Sequence, residues 1–205
     1  MRTPELIRTI DVAVTHLATC SDELRDLDAA LGDGDLGITV SAGSAAVIAA
    51  CESLAEDATP AAVLRTAATA FADANPSTMA ALVGGALLAA ARAIGEVQDV
   101  DLRIGLTIGT VAAQSIATRG RSHVGEKTIL DAIVPALAAM ESTPDDPLAA
   151  GIQAAREGVE RTRSLQSMRG RASWLGERSK GLQDPGATAF LRFLEGLDIA
   201  RRSAS

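Results

Sequence analysis

Apolar residues recur every three or four positions along almost the whole chain, and nothing alternates convincingly with the period of two expected of a half-exposed strand. Punctuated by Gly, Pro, Asp and Ser/Thr, this spacing predicts helices over residues 4–19, 21–31, 38–54, 60–74, 78–95, 101–118, 127–141, 147–166 and 186–202. Ala is abundant, Val, Ile and Leu fill the repeating apolar positions, and aromatic residues make up only 2%. Small side chains permit close helix–helix approach, so an all-α antiparallel bundle is expected. The longest uninterrupted apolar run, Met79 to Ala91, falls well short of the ~20 residues that span a bilayer and reads as a buried helix.

At 205 residues the chain is long enough for one well-formed core. No Pro/Ser-rich linker or charge block divides it, so a single domain over 1–205 is expected. The formal charge is −7 and the basic residues are dispersed apart from a cluster near the C-terminus. That distribution speaks against a nucleic-acid partner, and the hydropathy against a membrane one. Cys20 and Cys51 are lone cysteines in helical, Ala-rich contexts, which suggests reduced thiols in a cytoplasmic protein. The residues before Val12 mix acidic and basic types without an apolar core of signal-peptide type. Neither His16 nor His123 has metal-ligand spacing; His16 reads as structural and His123 as a loop residue within reach of a ligand.

Chemistry concentrates in the breaks. Asp28-x₄-Asp33-x-Asp35 places three carboxylates within eight residues, two of them in a turn loosened by Gly32, Gly34 and Gly37. Such a group cannot be fully ionised side by side unless a cation offsets the repulsion. Hard oxygen ligands without His or Cys favour Mg²⁺, Ca²⁺ or Mn²⁺ over zinc, and Mg²⁺ held by a few carboxylates keeps positions for phosphate oxygens. The alternative is a solvated acidic turn capping a helix. Gly32 to Gly37 also matches G-x-G-x-x-G, but a dinucleotide fingerprint must follow a strand, and Asp22 to Leu31 reads as polar helix. An EF-hand starting at Asp33 fails, because Ser44 stands where a bidentate Glu belongs.

Three further interruptions are polar: Asn75 to Thr78, Arg119 to Thr128, and Arg169 to Gly186. Ser77 and Thr78 open an apolar helix, where they either cap it or hold an anion. The last interruption is long for a bundle connection, and its arginines suit either bidentate phosphate binding or surface salt bridges.

On these residues the chain resembles a family. Gly32-Asp33-Gly34-Asp35-x-Gly37, Gly125-Glu126-Lys127-Thr128-Ile129-Leu130-Asp131, and Gly170-Arg171-Ala172-Ser173-Trp174-Leu175-Gly176-Glu177-Arg178 running on to Gln183-Asp184-Pro185-Gly186-Ala187-Thr188 are similar to the nucleotide-binding L subunit of dihydroxyacetone kinases. The resemblance implies an eight-helix antiparallel barrel with ADP or ATP and two Mg²⁺ ions at one end. It implies Asp28, Asp33 and Asp35 as metal ligands, and Leu36, Gly37, Ile38 and Thr39 along the nucleotide. Ser77 and Thr78 would contact phosphate, Gly120 and Ile129 would border the base, and Arg171 with Asp184, Pro185 and Gly186 would close the site. The family commonly has His and Asn where Leu36 and Thr39 stand, and a Gly-rich loop where Pro76 to Ala80 stands; members resembling tetrulose kinase subunits vary there.

The implied activity is phosphoryl transfer to dihydroxyacetone or a tetrulose held by a K-type partner subunit, which would carry the base and the sugar-anchoring His. The phosphoryl source would be free ATP or a phosphotransferase-system protein recharging bound ADP, and a homodimer is compatible with this reading. A fatty-acid kinase nucleotide domain is similar in helical fold and acidic motif. A nucleotide-sensing module docking on a transcription regulator is the reading without catalysis.

Overall fold

The computed structural model describes residues 1–204, and among them there are nine α-helices and no strand. They are α1 (Thr3–Thr19), α2 (Ser21–Leu31), α3 (Leu36–Glu52), α4 (Pro60–Ala74), α5 (Thr78–Ile94), α6 (Leu102–Gly120), α7 (Leu130–Ser142), α8 (Pro147–Thr162) and α9 (Pro185–Ser203). Helix starts follow local chemistry. The side chains of Thr59, Ser77, Asp101, Asp146 and Asp184 accept hydrogen bonds from first-turn N–H groups, and Pro60, Pro147 and Pro185 open α4, α8 and α9.

Each helix from α3 to α9 packs on the next in sequence, α9 packs on α1, and α1 packs on α3, which closes a ring of eight antiparallel helices. The short α2 lies outside the ring count, leaning on α3 and α9 at one end. Alternating direction brings the N-termini of α3, α5, α7 and α9 to a common end. Apolar side chains fill the ring: Leu6, Val47, Val63, Ala67 and Phe71 on one side, Ala132, Ala155, Val159, Leu191 and Leu194 on the other. Among the described residues no helix is long and apolar enough to cross a membrane. Cys20 and Cys51 are free thiols.

Helix contact is closest where glycine allows it. A Cβ on Gly158 of α8 would run into the Asp131 carbonyl and stand 3.1 Å from the Ala132 Cα on α7. Backbone cannot yield as a flexible side chain can, so Gly158→Ala is expected to lower unfolding stability by about 1–3 kcal/mol. A denaturant titration measures it, and an unchanged midpoint would show that α7 and α8 can part at no cost.

Most helix boundaries lie within two residues of the periodicity, and three differences have a physical reason. Helix α3 starts at Leu36 rather than residue 38, directly after the acidic turn. Helix α7 starts at Leu130 rather than 127 because Lys127 has φ +59°, a left-handed conformation that no helix continues through. Helix α8 stops at Thr162, not 166, and the chain then forms a strap containing a 3₁₀ segment, Arg171–Ser179, before α9. Within the long interruption read from the sequence, that segment makes short 3₁₀ turns broken at Gly176, where φ is +56°.

Candidate functional site

The acidic turn sits at the end where four helix N-termini meet. Carboxylate oxygens of Asp28, Asp33 and Asp35 all lie within 4.8 Å of one another. Asp28, in the last turn of α2, accepts a hydrogen bond from the Leu36 N–H at 3.2 Å, tying the end of α2 to the start of α3. Burial, and next the neighbouring Asp28 charge, push the Asp35 carboxyl above its ordinary value. Crowded carboxylates with only oxygen donors fit a hard divalent cation. The Arg171 guanidinium, arriving from the strap, forms an ion pair with Asp33.

What holds this turn in place is close packing of α2. A Cβ on Gly37 would strike the Ser21 carbonyl and stand 2.8 Å from the Arg25 Cβ, so Gly37 faces α2 and offers a ligand only backbone. Arg192 on α9 grips Glu23 on α2 through two bonds of 2.7 and 2.8 Å and also bonds Glu195 at 2.7 Å. Leu36 is buried among Leu17, Leu24 and Val40, leaving its backbone for the site. Ile38 points outward, 60% exposed.

A second group spans α3 and α5. The buried Thr39 hydroxyl donates to Ser77 Oγ at 3.3 Å and accepts from Asn75 Nδ2 at 2.9 Å. Ser77 caps α5 by accepting from the Ala80 N–H at 3.1 Å, and Thr78 beside it is exposed. Asn75, named from sequence only as the start of a polar break, had no role assigned to it. Its signal was available, since a polar amide between a helix end and Pro76 commonly turns back onto neighbouring polar groups.

At the ends of α7 and α9 a third group forms. A Cβ on Gly186 would stand 3.0 Å from Met79 Cε and 3.4 Å from Ile129 Cβ, which brings the starts of α5, α7 and α9 together. Asp184 caps α9 through the Ala187 N–H at 2.7 Å, and its own N–H donates to Thr162 Oγ1 at 2.8 Å. Only partly exposed, its carboxyl is pushed up to about 7, chiefly by burial. Gly120 ends α6, with Ser122 Oγ 3.2 Å from where its Cβ would be. From this corner a groove of about 310 Å³ runs between α6 and α7, lined by Ala113, Ala117, Ser122, His123, Leu130 and Val134.

The strap is fastened from beneath by the loop before α7. Glu126 pairs with Arg169 through bonds of 2.6 and 2.8 Å, which holds the Glu126 carboxyl well below the usual range, at about 2. The Met168 N–H donates to the Glu126 carbonyl at 3.1 Å. Asp131 accepts from the N–H groups of Gly125 and Thr128 at 2.6 and 2.8 Å, shaping the loop. Sequence reasoning had quoted this segment as a motif without giving Glu126, Lys127 or Asp131 a task. The strap partners of Lys127 and Glu126 lie 38 to 55 residues away, beyond any local signal, whereas those of Asp131 are within six residues.

Thus the structure gathers Asp28, Asp33, Asp35 and Arg171 in one group, Thr39 and Ser77 in a second, and Ile129 and Gly186 in a third, all at one end of the ring. The turn follows α2 and not a strand, which removes the dinucleotide fingerprint.

Comparison with known proteins shows the family and the fold. The DAK2 domain model matches residues 30–198. The PEP-dependent dihydroxyacetone kinase 1, ADP-binding subunit DhaL, of Listeria innocua is 36% identical over 168 residues, covering 80% of this chain and 79% of that protein. The corresponding subunit of Escherichia coli is 28% identical over 191 residues, covering 90% of each. L-erythrulose 1-kinase of Mycolicibacterium smegmatis is 33% identical over 196 residues, where 92% of this chain spans about a third, 34%, of that protein. In fold, the chain is similar to the dihydroxyacetone kinase from C. freundii in complex with AMP-PNP and Mg²⁺, with a TM-score of 0.76 at 23% identity over 96% of this chain and 34% of that one. With Asp33, Asp35, the loop before α7 and most of α9 inside the matched range, the chain belongs to the DAK2 domain family.

Proposed function

We propose that this chain is the Mg-nucleotide-binding subunit of a dihydroxyacetone-type kinase, presenting a phosphoryl group to dihydroxyacetone or a tetrulose held on a K-type partner subunit. The observation that carries the reading is the convergence of Asp28, Asp33 and Asp35 at the end of the ring where α3, α5, α7 and α9 begin. Helix N-termini offer unpaired N–H donors and partial positive charge to phosphate, while the carboxylates suit the accompanying cation. The kinase names of the relatives agree with it.

Asp28, Asp33 and Asp35 would hold Mg²⁺, two ions in the full complex. Bound Mg²⁺ neutralises phosphate charge and favours in-line transfer, which needs positioning more than covalent chemistry from the protein. The chain's own residues supply that positioning. Backbone of Leu36, Gly37 and Ile38 and the Thr39–Ser77 pair flank the phosphates, with Thr78 beside them. Gly120 and Ile129 border the base at the mouth of the α6–α7 groove. Arg171, already beside Asp33, meets phosphate from above, and Asp184, Pro185 and Gly186 close the corner. Ile38 and Trp174, 60% and 84% exposed, give the rim apolar surface for the K-type partner to cover. The phosphoryl source is free ATP or a phosphotransferase protein that recharges bound ADP.

Calorimetric titration tests the reading: ADP is expected to bind with Mg²⁺ present and to lose measurable binding when EDTA removes it. Equal ADP affinity with and without Mg²⁺ would refute it. Ligand contacts are also expected to steady the strap. Mg-ADP should slow tryptic cleavage at Arg169, Arg171 and Arg178 by about tenfold and shift the fluorescence of Trp174, the chain's one tryptophan. Equal cleavage with and without Mg-ADP would show that the strap is no lid.

A further inference from the structure

The chain has nineteen basic residues and only two are lysines, Lys127 and Lys180. Lys180 is an ordinary surface residue paired with Glu177 at 2.9 Å. Lys127 is 2% exposed, which is rare for lysine, and its backbone adopts the left-handed region at φ +59°. Its ammonium donates to three carbonyls: Leu165 at 3.3 Å, Ser179 at 2.6 Å and Leu182 at 2.5 Å. Three donors meet three acceptors, an arrangement suited to a compact ammonium and not to the planar fork of arginine. Leu165 lies on the arm of the strap that leaves α8, while Ser179 and Leu182 lie on the arm that enters α9. One cation therefore ties both arms to the loop before α7. Arg171 stands between those arms, Leu182 is two residues from Asp184, and Ile129 is two residues from Lys127 itself.

We propose that Lys127 is a positioning residue: through its three carbonyl bonds it holds the strap over the ring end and sets where Arg171 stands. Resting on the Mg-nucleotide reading for its ligand, the inference gives this buried cation a task in closing the site rather than in touching phosphate. Two features point away from filler. Burial disfavours the charged ammonium and lowers its pKa, and the left-handed backbone is strained for a residue with a Cβ. A merely apolar contact would need neither.

A double-mutant cycle reads the coupling. Lys127→Met is expected to weaken Mg-ADP binding about tenfold, Arg171→Ala to a similar extent, and the double variant to be no more than about twofold worse than the weaker single one. Multiplying losses would overturn the proposal, because Lys127 would then act independently of Arg171. Hydrogen exchange on the nucleotide-free protein separates this from failure of the nucleotide reading. Amides of residues 165–182 should exchange at least about tenfold faster in Lys127→Met while α3 to α6 keep their protection; unchanged strap exchange refutes the proposal even if wild type binds no nucleotide. Should Lys127→Met not fold, wild type suffices. With sulfo-NHS acetate, Lys127 should be acetylated at least about tenfold more slowly than Lys180, and Mg-ADP should slow it further. Labelling at the Lys180 rate, or indifferent to Mg-ADP, overturns the proposal.

Discussion

Asp33→Asn and Asp35→Asn are each expected to lower Mg-ADP affinity by at least about 100-fold while the helical fold survives. Residues that merely orient a metal ligand already cost about 10–100-fold when changed, so losing a direct anionic ligand costs no less. The fold survives because Asp33 is exposed and Asp35 half-buried, and neither side chain caps α3. Removing one of the crowded carboxylates relieves repulsion in the metal-free protein, offset in Asp33→Asn by loss of the exposed Arg171 ion pair, so thermal stability without Mg²⁺ should hold in Asp33→Asn and hold or rise slightly in Asp35→Asn. Asp28 is the less clean target, since its carboxylate also accepts from the Leu36 N–H. Titration calorimetry of both variants decides the matter. Unchanged Mg-ADP affinity would end the metal assignment.

The purified chain is expected to bind nucleotide yet phosphorylate no ketose, and to gain activity by several orders of magnitude when a K-type partner is added. The groups that converge at the ring end are cation- and phosphate-directed: three carboxylates, a guanidinium, hydroxyls and helix N-termini. Among the described residues no paired general base and sugar anchor accompany them, and an attacking hydroxyl must approach the phosphoryl group to within about 3–3.5 Å. On the proposed subunit reading, the acceptor site comes from a partner surface docked over the rim. A coupled assay with ATP, Mg²⁺ and ketoses of three and four carbons measures it. Robust ketose phosphorylation by the isolated chain would require an acceptor site of its own and would end the subunit reading.

The departures from the family's common pattern at Leu36, Thr39 and Pro76 to Ala80 fall beside the acidic turn. In the ring Thr39 is buried and bonded to both Asn75 and Ser77, so its hydroxyl joins the starts of α3 and α5.

Nine helices were legible from apolar spacing alone, because the 3.6-residue period and the caps that start helices act within a few residues of one another. Helices α2 and α4 agree with the periodicity at both ends, and α5 and α8 start where it places them. The acidic turn was equally legible, since three carboxylates within eight residues must be near each other however the chain folds. Where prediction slipped, a distant contact had overruled a local tendency. Lys127 continues the apolar rhythm of α7 in sequence, yet the carbonyls of Leu165, Ser179 and Leu182 draw it out of the helix. Residues 163–166 continue the rhythm of α8, yet Arg163 bonds the Gly181 carbonyl and Gln183 across the strap instead.

Sequence by itself determined the helices, their caps and the crowding of three carboxylates at the turn, all settled by interactions between near neighbours. Only tertiary structure decided that Arg171 meets Asp33, that Asn75 and Ser77 meet Thr39, and that one buried lysine joins both arms of the strap. Those pairs depend on the ring closing through α1 and α9, and closure is set by how small residues such as Gly37 and Gly158 let backbones approach, a packing outcome summed over the whole chain.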